Sequence, residues 1–281
     1  MRNLCTLSDK NYVAQGKALI RSLRQTCSYP FTMYYLCLDE ETFNALEGYD
    51  VERVRLETVE ASRGEITHYK QMHPYNEYCW SLASTFCRYI FEKLGVADIL
   101  YIDSDIYFYQ DLKIIEEEQN NNSIGIIRHR HNTSSSPDGE FNVGIIYFKN
   151  DEAGLACLRW WNDAILFGSH PQLATCGDQK YLEYFITGYQ DKVTVLDKTF
   201  AHGAPWNFRL YVYDNFHTNG TVIWGNIEQP LVFNHFSRMK LEEGKISPTS
   251  GQYADHTLGF QVFNIPVVNQ FYHKYAQELS K

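Results

Sequence analysis

The chain lacks what a membrane or secreted protein would carry. No apolar run approaches the roughly 18 residues of a spanning helix, and the opening MRNLCTLSDKNYVAQGK holds no apolar signal core. No CxxC pair occurs among the seven cysteines (Cys5, Cys27, Cys37, Cys79, Cys87, Cys157 and Cys176), and their number is odd. A fully paired disulfide frame is therefore excluded. Several of them sit in apolar runs such as YYLCLD and STFCRYI, and they read as buried free thiols in a reducing compartment. Cations are in deficit, 25 Lys and Arg against 34 Asp and Glu, for a formal charge of −9. Nucleic acid is thus a poor partner, because duplex binding calls for a basic face. An anionic small ligand stays open, since a few placed cations or a metal ion decide that locally. Internal repeats and long low-complexity tracts are also missing. These absences lead to the expectation of a cytoplasmic protein, with at most peripheral contact at the inner face of a membrane.

What is present suffices for a core: hydrophobic residues make up 44% and aromatic residues 15%, which argues against disorder. NLCTL reads as a short buried strand. Ser8 or Asp9 is placed to cap the helix that follows, whose Tyr12, Gly16, Leu19, Ile20 and Leu23 keep helical spacing. FTMYYLCLD is a second strand, and VERVRLETV alternates as a third. Ala83, Phe86, Cys87, Ile90, Phe91 and Leu94 predict a helix over about 78–94. DILYID, SIGIIR and FNVGIIYFKN are strands, and IIEEEQNNNS is a helix end running into a polar loop. EAGLACLRWWNDAIL and DQKYLEYFIT are helical, and VTVLD and LVFNHF are late strands. Alternating strands and helices in the first half predict an α/β fold on a mainly parallel sheet, with a mixed order beyond about residue 130. No linker interrupts the chain, so 1–281 is expected to be one domain. Its tail, about 246–281, is expected to pack on that domain rather than to touch a membrane.

One stretch carries chemistry. In ADILYIDSDIYFYQD an apolar run ends at Asp103-Ser104-Asp105. Ligands of open α/β sheets bind at the carboxyl ends of strands. In extended geometry residues i and i+2 point the same way, so Asp103 and Asp105 converge on a hard cation while Ser104 turns aside. Two carboxylates and a diphosphate suit Mg²⁺ or Mn²⁺. Three other readings fit the tripeptide equally: a plain polar strand end, a phosphohydrolase with Asp103 as nucleophile, and an acid binding a nucleotide ribose without metal. The phosphohydrolase pattern wants a small residue where Tyr107 stands.

The wider set of CWSLASTFCRYIFEKLGVADILYIDSD, FNVGIIYFKND, CGDQKYLEYF, APWNF and LVFNHFS resembles nucleotide-sugar glycosyltransferases of the GT-A fold, in particular the family 8 galactosyltransferase and glycogenin group. The resemblance covers about residues 4–240. It implies a nucleotide-binding half over about 1–110 and a sugar and acceptor half over about 111–245. It implies metal ligation of Mn²⁺ or Mg²⁺ by Asp103, Asp105 and His235. It implies nucleotide contacts from Leu7, Asp9, Asn11, Arg88, Ser104, Arg238 and Lys240, with the cations gripping the diphosphate. The family usually has a glycine and a lysine in the loop after the late histidine; here the loop reads HFSRMK, with Arg238 and Lys240, which leaves open which cation does that work. Asn142 and Asp178 would bind the sugar, Gly144 would let the backbone approach it, and Gln179 would lie at the anomeric carbon. Trp206 and Asn207 would meet the acceptor. The implied reaction is hexosyl transfer from a UDP-sugar to a saccharide or glycolipid hydroxyl, with retention, in bacterial surface-glycan or lipopolysaccharide synthesis. An inverting enzyme would need a base, for which Asp138 or Glu140 is at hand. The polar loop RHRHNTSSSPDGE could cover the donor or be plain surface. A non-catalytic nucleotide-sugar binder is the remaining alternative.

Overall fold

The computed structural model describes residues 1–130, 139–170, 172–173, 177–213, 220–247, 250 and 265–281. Among the described residues the strands are β1 (Asn3–Ser8), β2 (Thr32–Cys37), β3 (Glu52–Arg55), β4 (Asp98–Ile102), β5 (Ile106–Phe108), β6 (Ile124–Arg128), β7 (Phe141–Lys149), β8 (Val193–Val195), β9 (Ala201–Gly203), β10 (Tyr211–Val212), β11 (Thr221–Trp224), β12 (Ile227–His235) and the small hairpin of β13 (Leu241–Glu242) and β14 (Lys245–Ile246). The α-helices are α1 (Val13–Thr26), α2 (Glu40–Ala45), α3 (Leu56–Ser62), α4 (Gly64–Met72), α5 (Tyr75–Tyr89), α6 (Lys113–Gln119), α7 (Glu152–Phe167), α8 (Leu182–Tyr189) and α9 (Pro266–Leu279).

Among the described residues, seven strands form a sheet in the order β3-β2-β1-β4-β7-β6-β8. β1 to β4 pair in parallel, as the strand–helix alternation predicts. β7 then runs antiparallel to β4 and β6, and β8 is parallel to β6. The apolar run that leads to Asp103 is buried on both faces. Ile99 and Tyr101 pack with Phe86, Phe148 and Trp161 under α5 and α7, and Leu100 and Ile102 pack with Leu19, Leu23 and Ile145 under α1. A strand covered on both sides reads as a continuous apolar run, which is why DILYI shows no alternation. A second sheet, β10-β11-β12-β5 with β9 beside β12, lies beyond the Asp103-Ser104-Asp105 tripeptide. α9 closes its side: Phe271, Tyr272 and Tyr275 pack with Ala18 and Phe236. The tail thus packs on the fold as expected where it is described; residues 251–264 lie outside the described residues.

Local expectations changed in four places. VERVRLETV is a strand only to Arg55; Leu56 and Val59, three apart and both buried, make the rest helix α3. Ser8 and Asp9 do not cap α1. Ser8 is inside β1 and bonds Tyr35 Oη at 2.7 Å, while Asp9 accepts the Asn11 N–H at 2.9 Å in a local turn. The predicted 78–94 helix starts at Tyr75 and passes into a π-helical turn over Ile90–Leu94, closed by Gly95 at φ 65°. DQKYLEYFIT becomes helix only from Leu182, so Asp178 precedes the first turn. The cysteines agree with the free-thiol expectation: the described six are unpaired, and Cys176 lies outside the described residues. No helix among the described residues is long and apolar enough to cross a membrane.

Candidate active site

β4 delivers Asp103 to the edge of both sheets. The Asp103 N–H donates to Gly144 O on β7 at 2.9 Å, and the Ile106 N–H returns to Asp103 O at 3.2 Å. The tripeptide is therefore a tight turn, and the two carboxylates meet through that turn rather than by extended alternation. β5 then pairs antiparallel with β12, with His235 opposite Ile106, and the Phe236 N–H donates to Asp105 O at 2.9 Å. That register brings the late histidine to the acids: His235 Nε2 lies 3.0 Å from Asp105 Oδ1 and 3.7 Å from Asp103 Oδ2. Tyr101 Oη donates to Asp103 Oδ1 at 2.9 Å.

Charge at this cluster is unbalanced. Burial pushes the Asp103 carboxyl up; His235 pulls it back, and the Asp105 charge adds to the rise. For His235, burial opposes the charged ring, but Asp105 and then Asp103 outweigh it and raise its pKa. Asp178 is pushed well above the carboxylate range by burial and then by the charge of Asp103. The site favours a cation, whether a proton on His235 or a metal ion. One ligand atom from each of Asp103, Asp105 and His235 lies within 4.8 Å of the others. Two carboxylate oxygens and one imidazole nitrogen fit Mn²⁺ or Mg²⁺. Because the metal would displace the proton held by His235, its affinity should fall as pH drops through the raised histidine pKa, by about tenfold per pH unit for one proton. Mn²⁺ titrations followed by electron paramagnetic resonance from pH 8 to 5 check this slope.

The cluster opens into a cavity of about 490 Å³, whose walls also include Leu7, Asp9, Ser104, Asn142, Asp178, Gln179, Trp206 and Arg238. These predicted residues are brought together. Asn142 Nδ2 donates to Gln179 Oε1 at 2.9 Å, which joins the FNVG and DQ motifs directly.

Five predicted residues stand elsewhere. Asn11 is exposed and donates its side-chain amide to Asp9 Oδ2 at 3.0 Å, so it braces Asp9 from outside the cavity. Arg88 is held by Glu92 at 2.9 Å and by Asp163 of α7 at 2.7 Å. The cause is helical phase: Asn76, Cys79, Trp80 and Ala83 face the cavity, and five residues past Ala83 the helix has turned about 140° away. Lys240 is exposed, with its N–H bonded to Ser250 Oγ at 3.0 Å. Arg238 is thus the cation of HFSRMK that reaches the cavity, from a left-handed backbone at φ 59°. Asn207 is fully buried, with Oδ1 accepting the Ala204 N–H at 2.7 Å and Nδ2 donating to His129 O at 3.1 Å; it shapes the loop under Trp206 and does not meet the cavity. Gly144 lies against the Asn142 amide and the His235 ring, and makes room for these two side chains of the chain itself. Asp138 and most of the polar loop lie outside the described residues, and Glu140 is exposed and paired with Arg128 at 2.7 Å.

Sequence reasoning missed Tyr12, Tyr75, Asn76, Trp80 and His129, which also line the cavity. Tyr75 and Trp80 are exposed aromatics, 57% and 43%, off the apolar stripe of α5; a large aromatic outside the stripe was the available signal. His129 directly follows the apolar strand β6, much as His235 ends the apolar strand β12.

Residues 3–223 match the model of a family described as Glycosyl transferase family 8. Two Bacillus subtilis (strain 168) proteins, uncharacterized protein YfnF and uncharacterized protein YfnD, are each 28% identical over 84% of this chain, covering 81% and 77% of their own lengths. Among solved structures, mouse xyloside xylosyltransferase 1 superposes with a TM-score of 0.57 at 15% identity, over 84% of this chain and 97% of its own. The galactosyltransferase LgtC, in complex with donor and acceptor sugar analogs, gives 0.56 at 15% identity, over 99% and 96%. At such identities the superpositions show the fold, and both share the mainly parallel α/β architecture described above.

Proposed function

The chain belongs to glycosyl transferase family 8, and from that premise we propose that it moves a hexose from a nucleotide-diphospho-sugar to a hydroxyl of a saccharide or glycolipid acceptor, with retention. A UDP-hexose is the donor we favour, and bacterial surface-glycan or lipopolysaccharide synthesis the setting. The observation that carries the reading is one cavity holding the Asp103, Asp105 and His235 cluster together with Asn142, Asp178 and Gln179.

Each residue then has a task. Leu7 and Asp9 border the nucleotide, with Asn11 bracing Asp9. Asp103, Asp105 and His235 would hold Mn²⁺ or Mg²⁺, which when bound neutralises charge on the leaving diphosphate. Arg238 adds a fixed cation to the same charge, worth most where it grows in the transition state. Asn142 and Asp178 bind sugar hydroxyls, Gln179 stands at the anomeric carbon, and Trp206 offers its ring to the acceptor. Of the two carboxylates an inverting reaction could use, Glu140 stands on the surface paired with Arg128 at 2.7 Å, and Asp138 lies outside the described residues. In a one-face reaction the leaving phosphate takes the acceptor proton, and no protein base is needed.

The cation assignment has its own check. Arg238→Ala should raise the donor KM by roughly tenfold, the loss of one charge-assisted phosphate contact, while Lys240→Ala leaves it unchanged. Steady-state kinetics on the two variants decide between them. The proposed function itself is tested by a nucleotide-sugar hydrolysis screen with Mn²⁺, followed by acceptor trials on the best donor. Slow donor hydrolysis that disappears in Asp105→Ala separates a catalyst from a mere binder. Finding no donor turned over, with phosphate monoesters hydrolysed instead, would return the phosphohydrolase reading.

A further inference from the structure

We propose that His129 is a positioning residue, whose single tautomer fixes the orientation of the Asn142–Gln179 amide pair; the inference rests on Gln179 acting at the sugar. His129 lies just past β6, buried, with its N–H donating to Glu140 O at 2.9 Å. Its backbone oxygen accepts from Asn207 Nδ2 at 3.1 Å, and its ring stands edge-on to Trp206 at 5.4 Å.

The ring's polarity follows from its partners. Nδ1 lies 3.0 Å from Gly139 O, a carbonyl that only accepts, so Nδ1 carries the proton. Nε2 lies 3.2 Å from Asn142 Nδ2, an amide nitrogen that only donates, so Nε2 is the bare acceptor. The amide orientation of Asn142 has separate support, because its Oδ1 accepts the Gly144 N–H at 2.8 Å. The second N–H of Asn142 then meets Gln179 Oε1 at 2.9 Å, where the Val143 N–H also points at 3.4 Å. Each link dictates the next: backbone carbonyl, histidine tautomer, asparagine, glutamine. Reversing the Gln179 amide would aim its N–H groups at Asn142 Nδ2 and the Val143 N–H, so it requires reversing Asn142 as well; that turn would set Asn142 Nδ2 against the Gly144 N–H, donor to donor, and Asn142 Oδ1 against the bare His129 Nε2, acceptor to acceptor. The neutral ring therefore orders the dipole that Gln179 presents to the sugar.

The test uses variants of the full chain with the donor found in the hydrolysis screen. His129→Phe keeps a ring but has no acceptor. His129→Asn keeps a donor near Gly139 O and drops the link to Asn142. His129→Gln places an amide oxygen near the position of Nε2. Loss of order at Gln179 should lower kcat by roughly a hundredfold in His129→Phe and His129→Asn, as for a misplaced reacting group, with donor KM within about twofold and Mn²⁺ affinity unchanged. His129→Gln should recover most of the rate. If His129→Phe fails to fold, His129→Asn against His129→Gln carries the comparison. Equal rates in all variants, or a loss that appears in KM and is not restored by His129→Gln, would overturn the proposal. A second readout does not need turnover: the imidazole ¹⁵N shifts of His129 should report the Nδ1–H tautomer, and an Nε2–H tautomer would also overturn it. Wild-type protein without donor turnover, yet with the expected tautomer, would fail the proposed function and with it the role in catalysis.

Discussion

Asp105→Ala is expected to lower glycosyl transfer by roughly three orders of magnitude, the scale of removing a group that stabilises transition-state charge, while the chain stays folded. The fold survives because what Asp105 gives to the architecture is backbone: its carbonyl accepts the Phe236 N–H at 2.9 Å, and β5 and β12 pair through their main chains. The side chain is a different matter. Asp105 stands 3.0 Å from His235 Nε2 and is the first of the charges that raise the histidine pKa against burial. Without it, His235 loses its nearest carboxylate and only Asp103 remains to share a cation. Transfer rate, Mn²⁺ affinity and circular dichroism measured together check this: rate and affinity should fall and the spectrum should not change. A rate within tenfold of the wild type would mean that Asp105 is only a polar strand end.

Gly144→Ala should do comparable damage from a position outside the cavity. A Cβ there would lie 2.5 Å from Asn142 Oδ1 and 2.9 Å from His235 Nδ1. Neither neighbour can swing away cheaply. Asn142 is tied to His129 and Gln179, and His235 is held by the β5 pairing and by Trp206 edge-on at 5.3 Å. The sequence resemblance assigned this glycine to close backbone approach of the sugar; the structure shows the space taken by the histidine ring and the asparagine amide. The overpacking should cost about 1–3 kcal/mol of stability and weaken Mn²⁺ binding at least tenfold, read by thermal melts and metal titration. Gly125→Ala is the control, since its Cβ would meet Gln119 Oε1 at 2.4 Å, far from the cluster in chemistry. It should lose stability and keep metal affinity. If Gly144→Ala binds Mn²⁺ as the wild type does, the ring of His235 is not placed by this contact.

The sequence spoke clearly where one local rule dominates. DILYID is a strand because its run is apolar on both faces, and DSD marks the ligand end because carboxylates there have no core to join. Long-range register was not legible. Nothing near His235 states that it will sit opposite Ile106; that follows from β5 and β12 pairing in a second sheet. Helical phase was available but not applied to Arg88, which the motif drew toward the diphosphate while the α5 geometry turned it to Asp163. Asn207 was read as an acceptor contact because it follows Trp206, yet a buried asparagine with both ends of its amide bonded to backbone is a loop brace. His129 passed unnoticed because its meaning lies in partners from β7 and the turn before α8, which only the folded chain assembles.

In the proposed function, the Asp103, Asp105 and His235 cluster serves a nucleoside diphosphate through a divalent cation. The most direct measurement is calorimetric titration of UDP into the wild type and into Asp105→Ala, each with Mn²⁺ and with chelator. The account predicts saturable binding for the wild type with Mn²⁺, weakened at least tenfold by chelator or by the substitution. Binding of equal strength in all four experiments, or none in any of them for UDP and the other nucleoside diphosphates, would contradict it.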